Sequence, residues 1–203
     1  MTARPGTGQN PGMPENRKAD PDRVRRRLER AVRTGGPVRT HRSIPGADRI
    51  DGFVVAVTDA WTLLACRVNL TLDGWTALRT SDIVRVERDG GPTCLAVRVL
   101  EHREQWPVRT PGGGLPLDEL PALAEAACER YGLISLHTEF LRTDACWIGA
   151  VAELRPRSLR LHQVGTEARW YPAPTKFRHR DITRVEFGGQ YEQTLREFAG
   201  PRP

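Results

Sequence analysis

A short basic segment near the C-terminus contains the side chains best suited to bind a phosphate group. Arg178, His179, Arg180 and Asp181 follow one another directly. An arginine donates two hydrogen bonds in a fork that matches a phosphate, and a histidine stacks on a nucleic-acid base. The alternative is a solvent-exposed turn between two strands, in which Asp181 bonds to its own backbone. Because turns of this composition are common, we favour the turn and keep phosphate binding as the second interpretation.

A second basic group lies in a segment that has the pattern of an amphipathic helix. Six arginines fall within residues 23–33 and leave one apolar face free. Such a surface binds nucleic acid or an acidic partner with an affinity that falls as salt rises. The more common alternative is a solvated helix face. The candidate contacts with nucleic acid or an acidic partner are therefore Arg25, Arg26, Arg27, Arg30, Arg178, His179 and Arg180.

The sequence contains no arrangement that is typical of an enzyme. It lacks a nucleophile with its base, a pair of catalytic carboxylates and a dinucleotide-binding fingerprint. The glycine-rich residues 110–114 do not follow a clear strand and do not precede Lys-Ser or Lys-Thr. His41 and His137 occupy matching positions, but a metal site would need further His or Cys ligands beside both. We therefore predict no enzymatic activity, no catalytic residue, no metal site and no cofactor.

The positive charge is concentrated at the N-terminus. The chain of 203 residues has a formal net charge of +6. Residues 1–49 contain twelve Lys and Arg against five Asp and Glu, whereas residues 50–203 contain nineteen against twenty. A fold that itself binds nucleic acid normally spreads positive charge over its surface. The distribution argues against nucleic-acid binding by residues 50–203 and leaves it open for the N-terminal arm.

No segment indicates a membrane or an exported protein. An apolar run of about 18 residues, which a membrane span needs, is missing. The Gly- and Pro-rich residues 1–16 show no apolar stretch typical of a secretory signal. The four cysteines are scattered, without CxxC or zinc-finger spacing. We therefore predict a cytoplasmic protein that makes no contact with a membrane.

The sequence indicates that one structural unit occurs twice. Gly52 and Gly149 each lie near the start of an apolar run. Residues 82–87, Asp-Ile-Val-Arg-Val-Glu, correspond to residues 181–186, Asp-Ile-Thr-Arg-Val-Glu. The offset between the copies stays at 96 to 99 residues, a drift that loops can absorb. Each copy is therefore expected to form one compact unit.

The repeat and the local composition divide the chain into four segments. They are a disordered tail at 1–19, a first unit at 20–105 with the basic N-terminal helix, a Pro- and Gly-rich linker at 106–115, and a second unit at 116–200. Each unit begins with a predicted helix, at residues 20–34 and 118–131, that stops at Gly35 or Gly132. The predicted buried faces are Val24, Leu28, Ala31 and Val32 in the first helix and Leu120, Leu123, Ala124, Ala127 and Tyr131 in the second.

Short apolar runs predict about five strands after each helix. They are residues 38–44, 52–58, 61–68, 75–78 and 83–87 in the first unit, and 133–139, 146–154, 158–164, 168–177 and 182–187 in the second. Residues 93–104 fit either a short helix or a strand, and residues 191–199 fit a helix. The predicted fold class is mainly β with flanking helices (α+β). Five short strands in so small a unit are expected to curl into a small barrel with few free edges.

The order of one helix and five short strands, with a tight turn before the last strand, resembles the Sm-like fold. The residues that carry the resemblance are 51–55, 61–64 and 81–86 in the first unit and 146–149, 158–161 and 179–185 in the second. Residues 48–200 also resemble a family of uncharacterised actinobacterial proteins with this duplicated layout, in which the segment corresponding to residues 170–191 recurs. The resemblance implies two tandem Sm-like units related by internal duplication. It carries no known activity and therefore bears on the fold and not on the function.

Similarity to Sm-like proteins implies RNA binding through two loops. Their loop between strands two and three usually holds an Asp and an Asn, and the second loop pairs a basic residue with Gly and Asp or with His. The corresponding segments here are residues 59–61 and 155–157 for the first loop, and 80–82 and 179–181 for the second. Only residues 179–181 have suitable chemistry, so the implied site is incomplete in both units.

The sequence thus favours a non-enzymatic binding or scaffold protein that acts through protein–protein contacts. Its expected partner is an unknown protein or a further copy of the chain, bound through edge strands of the predicted barrels. The alternative is an RNA- or DNA-binding protein that uses the arginine-rich helix and the turn at His179 and Arg180.

Overall fold

A computed structural model describes residues 20–91 and 93–203. The predicted disordered tail, residues 1–19, lies outside the described residues. The helices are α1 Pro21–Thr34, α2 Leu95–His102, α3 Leu120–Tyr131 and α4 Gln190–Ala199. The strands are β1 Val38–Arg42, β2 Ile50–Val57, β3 Trp61–Val68, β4 Thr71–Arg79, β5 Ile83–Arg88, β6 Ile134–His137, β7 Cys146–Arg155, β8 Ser158–Gln163, β9 Thr175–Arg178 and β10 Arg184–Phe187. The 3-10 turns Thr80–Asp82 and His179–Asp181 precede β5 and β10.

All ten strands form one antiparallel sheet in the order β5-β1-β2-β3-β4-β10-β6-β7-β8-β9. Each half of the chain contributes five strands, and each half arranges them as fifth, first, second, third and fourth. The predicted α+β class, mainly β with flanking helices, is confirmed. Two closed barrels are not confirmed, because the sheet is open. The fourth strand of the first half pairs with β10 of the other half instead of closing on its own fifth strand.

Helix α1 forms for the local reasons that its sequence indicates. The Asp20 side chain accepts hydrogen bonds from the backbone N–H groups of Asp22 (3.1 Å) and Arg23 (3.2 Å). These bonds satisfy donors that the first helical turn leaves without a partner. Gly35 ends the helix with φ of 61°, a left-handed conformation that favours glycine.

Each helix buries one apolar face on the sheet. The residues that α1 buries are Val24, Leu28 and Ala31, and those that α3 buries are Leu120, Leu123, Ala124 and Ala127. Val32, predicted to share the face of α1, is instead 38% exposed. Residues 93–104 contain α2, which packs on Phe53 and Ala65. None of the helices within residues 20–91 and 93–203 is long and apolar enough to cross a membrane.

The fourth strand of the second half is shorter than predicted. The sequence predicts one strand over residues 168–177, but β9 spans only Thr175–Arg178. Trp170 makes an isolated bridge to Val164 before the chain leaves the sheet. Two prolines, Pro172 and Pro174, explain the break, since proline has no N–H for a ladder.

The apolar core crosses the boundary between the two halves. One buried cluster contains Trp61, Leu63 and Ala77 of the first half together with Leu136 and Phe187 of the second. Separating the halves would expose these side chains to water, which is unfavourable in proportion to the apolar area uncovered. The contact between the halves is therefore part of the fold.

Candidate functional site

The pairing of β4 with β10 is the joint between the two halves, and side chains reinforce its backbone ladder. Glu186 faces Thr76 in this ladder. The Thr76 hydroxyl donates to the Glu186 carboxylate at 3.2 Å. The Arg79 guanidinium donates to the carbonyl oxygens of Arg180, at 2.8 Å, and Ile182. We call this pairing the internal joint.

Glu186 belongs to an ionic cluster on the second-half side of the internal joint. Arg184 donates to Nδ1 of His137 at 2.8 Å, and Nε2 of His137 lies 2.8 Å from the Glu186 carboxylate. Because arginine has only donors, Nδ1 accepts and Nε2 donates. Burial raises the pKa of Glu186, but the hydrogen bond from His137 and the charge on Arg184 outweigh it and lower the pKa to about 2. Glu186 is therefore ionised at neutral pH.

The same three residue types recur on β1 and β5. Nε2 of His41 lies 3.1 Å from the Glu87 carboxylate, and Arg85 contacts that carboxylate too. The hydrogen bond from His41 lowers the pKa of Glu87. Because β5 is an edge of the sheet, this cluster is open to solvent. The side chains of Arg85 and His41 are 63% and 35% exposed, against 10% and 7% for Arg184 and His137.

A buried ion pair also connects the two halves. Arg42, at the end of β1, donates from Nη2 to the Glu139 carboxylate at 2.8 Å, and Nη1 contacts the second oxygen. The Thr183 hydroxyl donates to the same carboxylate at 2.7 Å. Burial raises the pKa of Glu139, but the hydrogen bonds from Arg42 and Thr183 outweigh it and lower the pKa. The pair is ionised and anchors the second half on the first.

The outer side of β5 has no strand neighbour among the described residues, and Arg27 covers part of it, so that Val86 is only 4% exposed. Asp89 donates from its N–H to the Pro37 carbonyl at 2.9 Å. Hydrogen-bonded and non-bonded pairs alternate along an antiparallel ladder, so Val86 turns its N–H and C=O away from β1. Arg27 of α1 donates to this Val86 carbonyl at 2.8 Å. The outward carbonyl at the middle of the edge is thus capped from within the chain.

The β9 edge lies at the other end of the sheet, and no side chain of residues 20–91 and 93–203 caps it as Arg27 caps β5. His179 donates from its N–H to the Arg157 carbonyl at 3.1 Å. Alternation along the β8–β9 ladder then turns the N–H and C=O of Lys176 away from β8. Lysine and the preceding Pro174 are residues that natural proteins place on edges to limit pairing. The two edges of the sheet therefore differ: an arginine caps the β5 backbone, whereas a lysine and a proline lie at the β9 edge.

A basic cavity of about 550 Å³ lies beside the β9 edge, between the β7–β8 turn and the 3-10 turn before β10. Its polar lining includes Arg157, Ser158, Lys176, Arg178, His179 and Arg180. Asp181 lies 2.6 Å from Arg178 and 3.7 Å from Arg180. Arg157 and Lys176 have no carboxylate partner within 4.0 Å in the described part of the chain. The cavity has the charge of an anion-binding site.

His179 contributes an aromatic ring to this cavity. Burial lowers the pKa of His179, although a backbone hydrogen bond at Ser158 opposes the shift. The ring is therefore neutral at neutral pH and offers a flat face for stacking, not a charge. Its Nε2 atom is buried and has no hydrogen-bond partner among residues 20–91 and 93–203.

The arginines of α1 do not reach this cavity. Arg25 donates to Glu29 at 3.0 Å, and Arg27 is held by the β5 backbone. Arg26 and Arg30 point to solvent. Helix α1 packs on β2 and β5, at the opposite end of the strand order from β9. The seven candidate contact residues thus form two separate groups.

The corresponding cavity of the first half has different chemistry. A cavity of about 450 Å³ lies between the β2–β3 turn and the 3-10 turn before β5. Its charged lining consists of Asp22, Asp59 and Arg25, and Arg25 contacts Asp59 directly. With its single arginine neutralised, this cavity does not attract an anion. Of these two corresponding cavities in the described part of the chain, the one in the second half is the basic one.

Within the described ranges, no three His, Cys, Asp or Glu side chains are grouped closely enough to hold a metal ion. Burial raises the pKa of the Cys66 and Cys128 thiols, which are both partly buried. A thiol with a raised pKa is protonated at neutral pH and is a poor nucleophile.

Two residues of the internal joint, Thr76 and Arg79, are not among the candidate contacts that the sequence indicates. They lie just before the repeated residues 82–87. The offset of 99 residues places Thr175 and Arg178 at the corresponding positions of the second half. Extending the repeat backwards by six residues is the signal that finds them.

No protein-family model matches the chain, and comparisons with curated proteins and with solved structures find no match. The function of the protein is therefore inferred from three features of its own structure: the internal joint, the two free edges and the basic cavity.

Proposed function

We propose that this protein is a non-enzymatic scaffold that binds protein by strand pairing at the edges of its sheet. The observation that carries the proposal is the internal joint, in which Thr76 and Arg79 reinforce edge-to-edge pairing of β4 with β10. The chain thus uses this type of contact to hold its own halves together. Among the described residues no strand pairs with the outer side of β5 or β9, so both edges are templates for a further strand of the same kind.

We also propose that the two halves are tandem Sm-like units that arose by duplication of one unit. Three correspondences support it. The strand order is the same in both halves. Residues 82–87 recur at 181–186. The ladder also shifts register at corresponding places, between Val54 and Ala56 in β2 and between Val151 and Glu153 in β7. Such bulges bend a strand, so each unit is a bent sheet that is completed by its neighbour.

Lys176→Pro is expected to abolish protein binding at the β9 edge. The substitution removes a backbone N–H that points out of the sheet, and it keeps the β8–β9 ladder because that N–H does not bond to β8. Lys176→Ala is the matched control, since it removes the charge and keeps the N–H. The measurement is the size of the complexes that the tagged full-length chain forms in cells, determined after nuclease treatment by light scattering on a sizing column.

Complexes of defined size that persist in Lys176→Ala and disappear in Lys176→Pro are the expected outcome. An unchanged thermal unfolding curve establishes that the proline variant is folded. A parental chain that elutes as a monomer without other protein contradicts the scaffold proposal. Complexes that nuclease disperses contradict it as well.

Binding of RNA or DNA is the second candidate function, and the basic cavity favours it. Arg157 and Lys176 each present a charge that no carboxylate of the described residues neutralises within 4.0 Å. An arginine fork and a neutral His179 ring are suited to a phosphate and a base. The exposed Arg26 and Arg30 of α1 lie at the other end of the sheet, so they would act as a separate electrostatic contact.

Arg157→Ala is expected to weaken binding of a mixed-sequence single-stranded RNA about tenfold at low salt, because it removes one charged hydrogen-bond donor. The slope of log affinity against log salt should also fall by about 0.7. Arg155→Ala is the matched control on the same turn, since Arg155 is already paired with Glu153 at 2.7 Å. Fluorescence anisotropy at several salt concentrations measures both quantities. Equal losses in the two variants, or no binding by the parental chain, would exclude this role for the cavity.

A further inference from the structure

We infer that the partner is a second copy of this chain, with the β9 edge of one copy paired with the β5 edge of the next in the register of the internal joint. The inference rests on the proposed function, in which the edges bind protein, and it names the occupant. The free edges carry the same residues that hold the internal joint together.

The β5 edge reproduces the β10 side of the internal joint. Glu87 corresponds to Glu186, the carboxylate that accepts the Thr76 hydroxyl across the joint. Both glutamates bond to a histidine of the neighbouring strand, Glu186 to His137 at 2.8 Å and Glu87 to His41 at 3.1 Å. The Glu87 carboxylate on β5 is thus held in the same way as the Glu186 carboxylate on β10. Glu186 faces β4, whereas no strand of the described residues lies beside Glu87 on the outer side of β5.

The β9 edge reproduces the β4 side. Thr175 and Arg178 stand 99 residues after Thr76 and Arg79. Each of the two arginines also pairs with the aspartate three residues further on, at 3.8 Å for Arg79 and 2.6 Å for Arg178. Thr175 and Arg178 are exposed. The hydroxyl and the guanidinium needed for a second joint are therefore available.

The backbone groups of the two edges match in the same register. In the internal joint Val185 pairs with Ala77. The corresponding residues are Val86 on β5 and Lys176 on β9, and both turn their N–H and C=O out of the sheet. They can exchange two hydrogen bonds as an antiparallel pair. The resulting facing pairs are Arg85 with Phe177, Val86 with Lys176, and Glu87 with Thr175.

Two features make the contact between copies weaker than the internal joint. Arg27 holds the Val86 carbonyl and must release it before a strand can pair there. Pro174, which corresponds to Trp75, has no N–H, so the pairing ends at Thr175. Association is therefore reversible and depends on concentration. Because the two contact surfaces differ, repeated pairing yields a ring or an open chain of copies.

Cysteine cross-linking tests the register. Glu87→Cys and Thr175→Cys are made in separate full-length chains that also carry Cys146→Ser, because Cys146 is the exposed cysteine of the four. Facing residues in a non-hydrogen-bonded antiparallel pair lie about 4.5 Å apart at Cα, within disulfide range. Mixed and oxidised, these two chains should form a disulfide-linked dimer. Arg85→Cys with Thr175→Cys, two residues out of register, should not.

Sedimentation velocity over a concentration series tests the role of Arg27. Arg27→Ala removes the cap on the Val86 carbonyl and should lower the dissociation constant of self-association roughly tenfold, since a charged hydrogen bond no longer competes. Arg26→Ala is the matched control, because the Arg26 side chain is 67% exposed and its contact, with Asp20, is 3.9 Å long. Lys176→Pro should remain a monomer.

The outcomes separate this inference from the function on which it rests. A parental chain that stays monomeric throughout the series, or equal cross-linking of the in-register and out-of-register pairs, overturns the inference. If Lys176→Pro nevertheless abolishes complexes with another protein in cells, the scaffold proposal stands without self-association. If neither kind of complex exists, both fail.

Discussion

Arg42→Ala is expected to lower the free energy of unfolding by about 3 kcal/mol or more. The side chains of Arg42 and Glu139 are 0% and 2% exposed, and they form an ion pair between the two halves. Without the arginine, the Glu139 carboxylate remains buried with the Thr183 hydroxyl and with Arg184, which is 3.7 Å away. A buried charge that loses its partner is strongly destabilising. Urea denaturation of the full-length chain, followed by tryptophan fluorescence, measures the change.

Two further variants show whether burial is the cause. Arg142→Ala removes an arginine that is 61% exposed and lies 3.2 Å from Asp144, so it should change stability by less than about 1 kcal/mol. Arg42→Met combined with Glu139→Leu removes both buried charges and should recover most of the lost stability. Similar losses for Arg42→Ala and Arg142→Ala would show that the buried pair does not join the halves.

The effect of Arg42→Ala should also depend on pH. In the parental chain the pKa of Glu139 is lowered from its ordinary value of 4.5, so the pair stabilises the fold above that value and loses this contribution as pH falls through the folded-state pKa. In the variant the hydrogen bond from Arg42 is gone, and burial then favours the protonated carboxyl. The difference in stability between the two chains therefore narrows in acid.

Local signals in the sequence predict the elements of the fold, but not how the halves join. Asp20 and Gly35 mark the ends of α1 because capping involves only neighbouring residues. Whether five strands close on themselves or pair with another unit depends on contacts between distant residues. The apolar runs are compatible with both arrangements, since each removes free edges. The open sheet could therefore not be predicted from periodicity.

The candidate site, too, could be predicted from the sequence only where its residues are adjacent in the chain. The basic turn at His179 is visible in the sequence because its residues are adjacent. Arg157 joins it only through the hydrogen bond between the His179 N–H and the Arg157 carbonyl, which folding creates. Lys176 lies two residues before Arg178 on β9, and only the fold shows that its side chain lines the same cavity. The role of Arg27 is also invisible in the sequence. On a helical wheel it is one solvated arginine among several, and only the position of the β5 edge makes it a cap.

Lys176 and Arg27 separate the two candidate functions because each affects them differently. Lys176→Ala removes a charge from the basic cavity and keeps the edge N–H, so it weakens RNA binding and spares strand pairing. Arg27→Ala removes a cation from α1 and uncovers the β5 edge, so it strengthens self-association and does not strengthen RNA binding. A nucleic-acid-binding protein would lose affinity in both variants.

Gly149→Ala is expected to destabilise the fold by roughly 3 kcal/mol. Gly149 lies on β7 opposite Gln163 of β8. A Cβ atom at this position would lie 2.1 Å from the His162 carbonyl oxygen and 2.9 Å from the Gln163 Cα. Both atoms belong to backbone, so no side-chain rotation relieves the overlap and the two strands must separate locally. A Cβ atom at Gly52 would likewise lie 2.3 Å from the Ala65 carbonyl oxygen, so the glycine of each half permits a close approach of two backbones.

Gly112→Ala provides the matched control, because a Cβ atom there meets nothing within 4 Å. Its backbone is not in the left-handed region, so the substitution should be neutral or stabilise the chain by up to about 1 kcal/mol through the unfolded state. Thermal or urea unfolding of both variants measures the contrast. If Gly149→Ala and Gly112→Ala have the same stability, β8 leaves room for a Cβ atom at residue 149, contrary to the distance of 2.1 Å to the His162 carbonyl oxygen. The repeated glycines would then need another explanation.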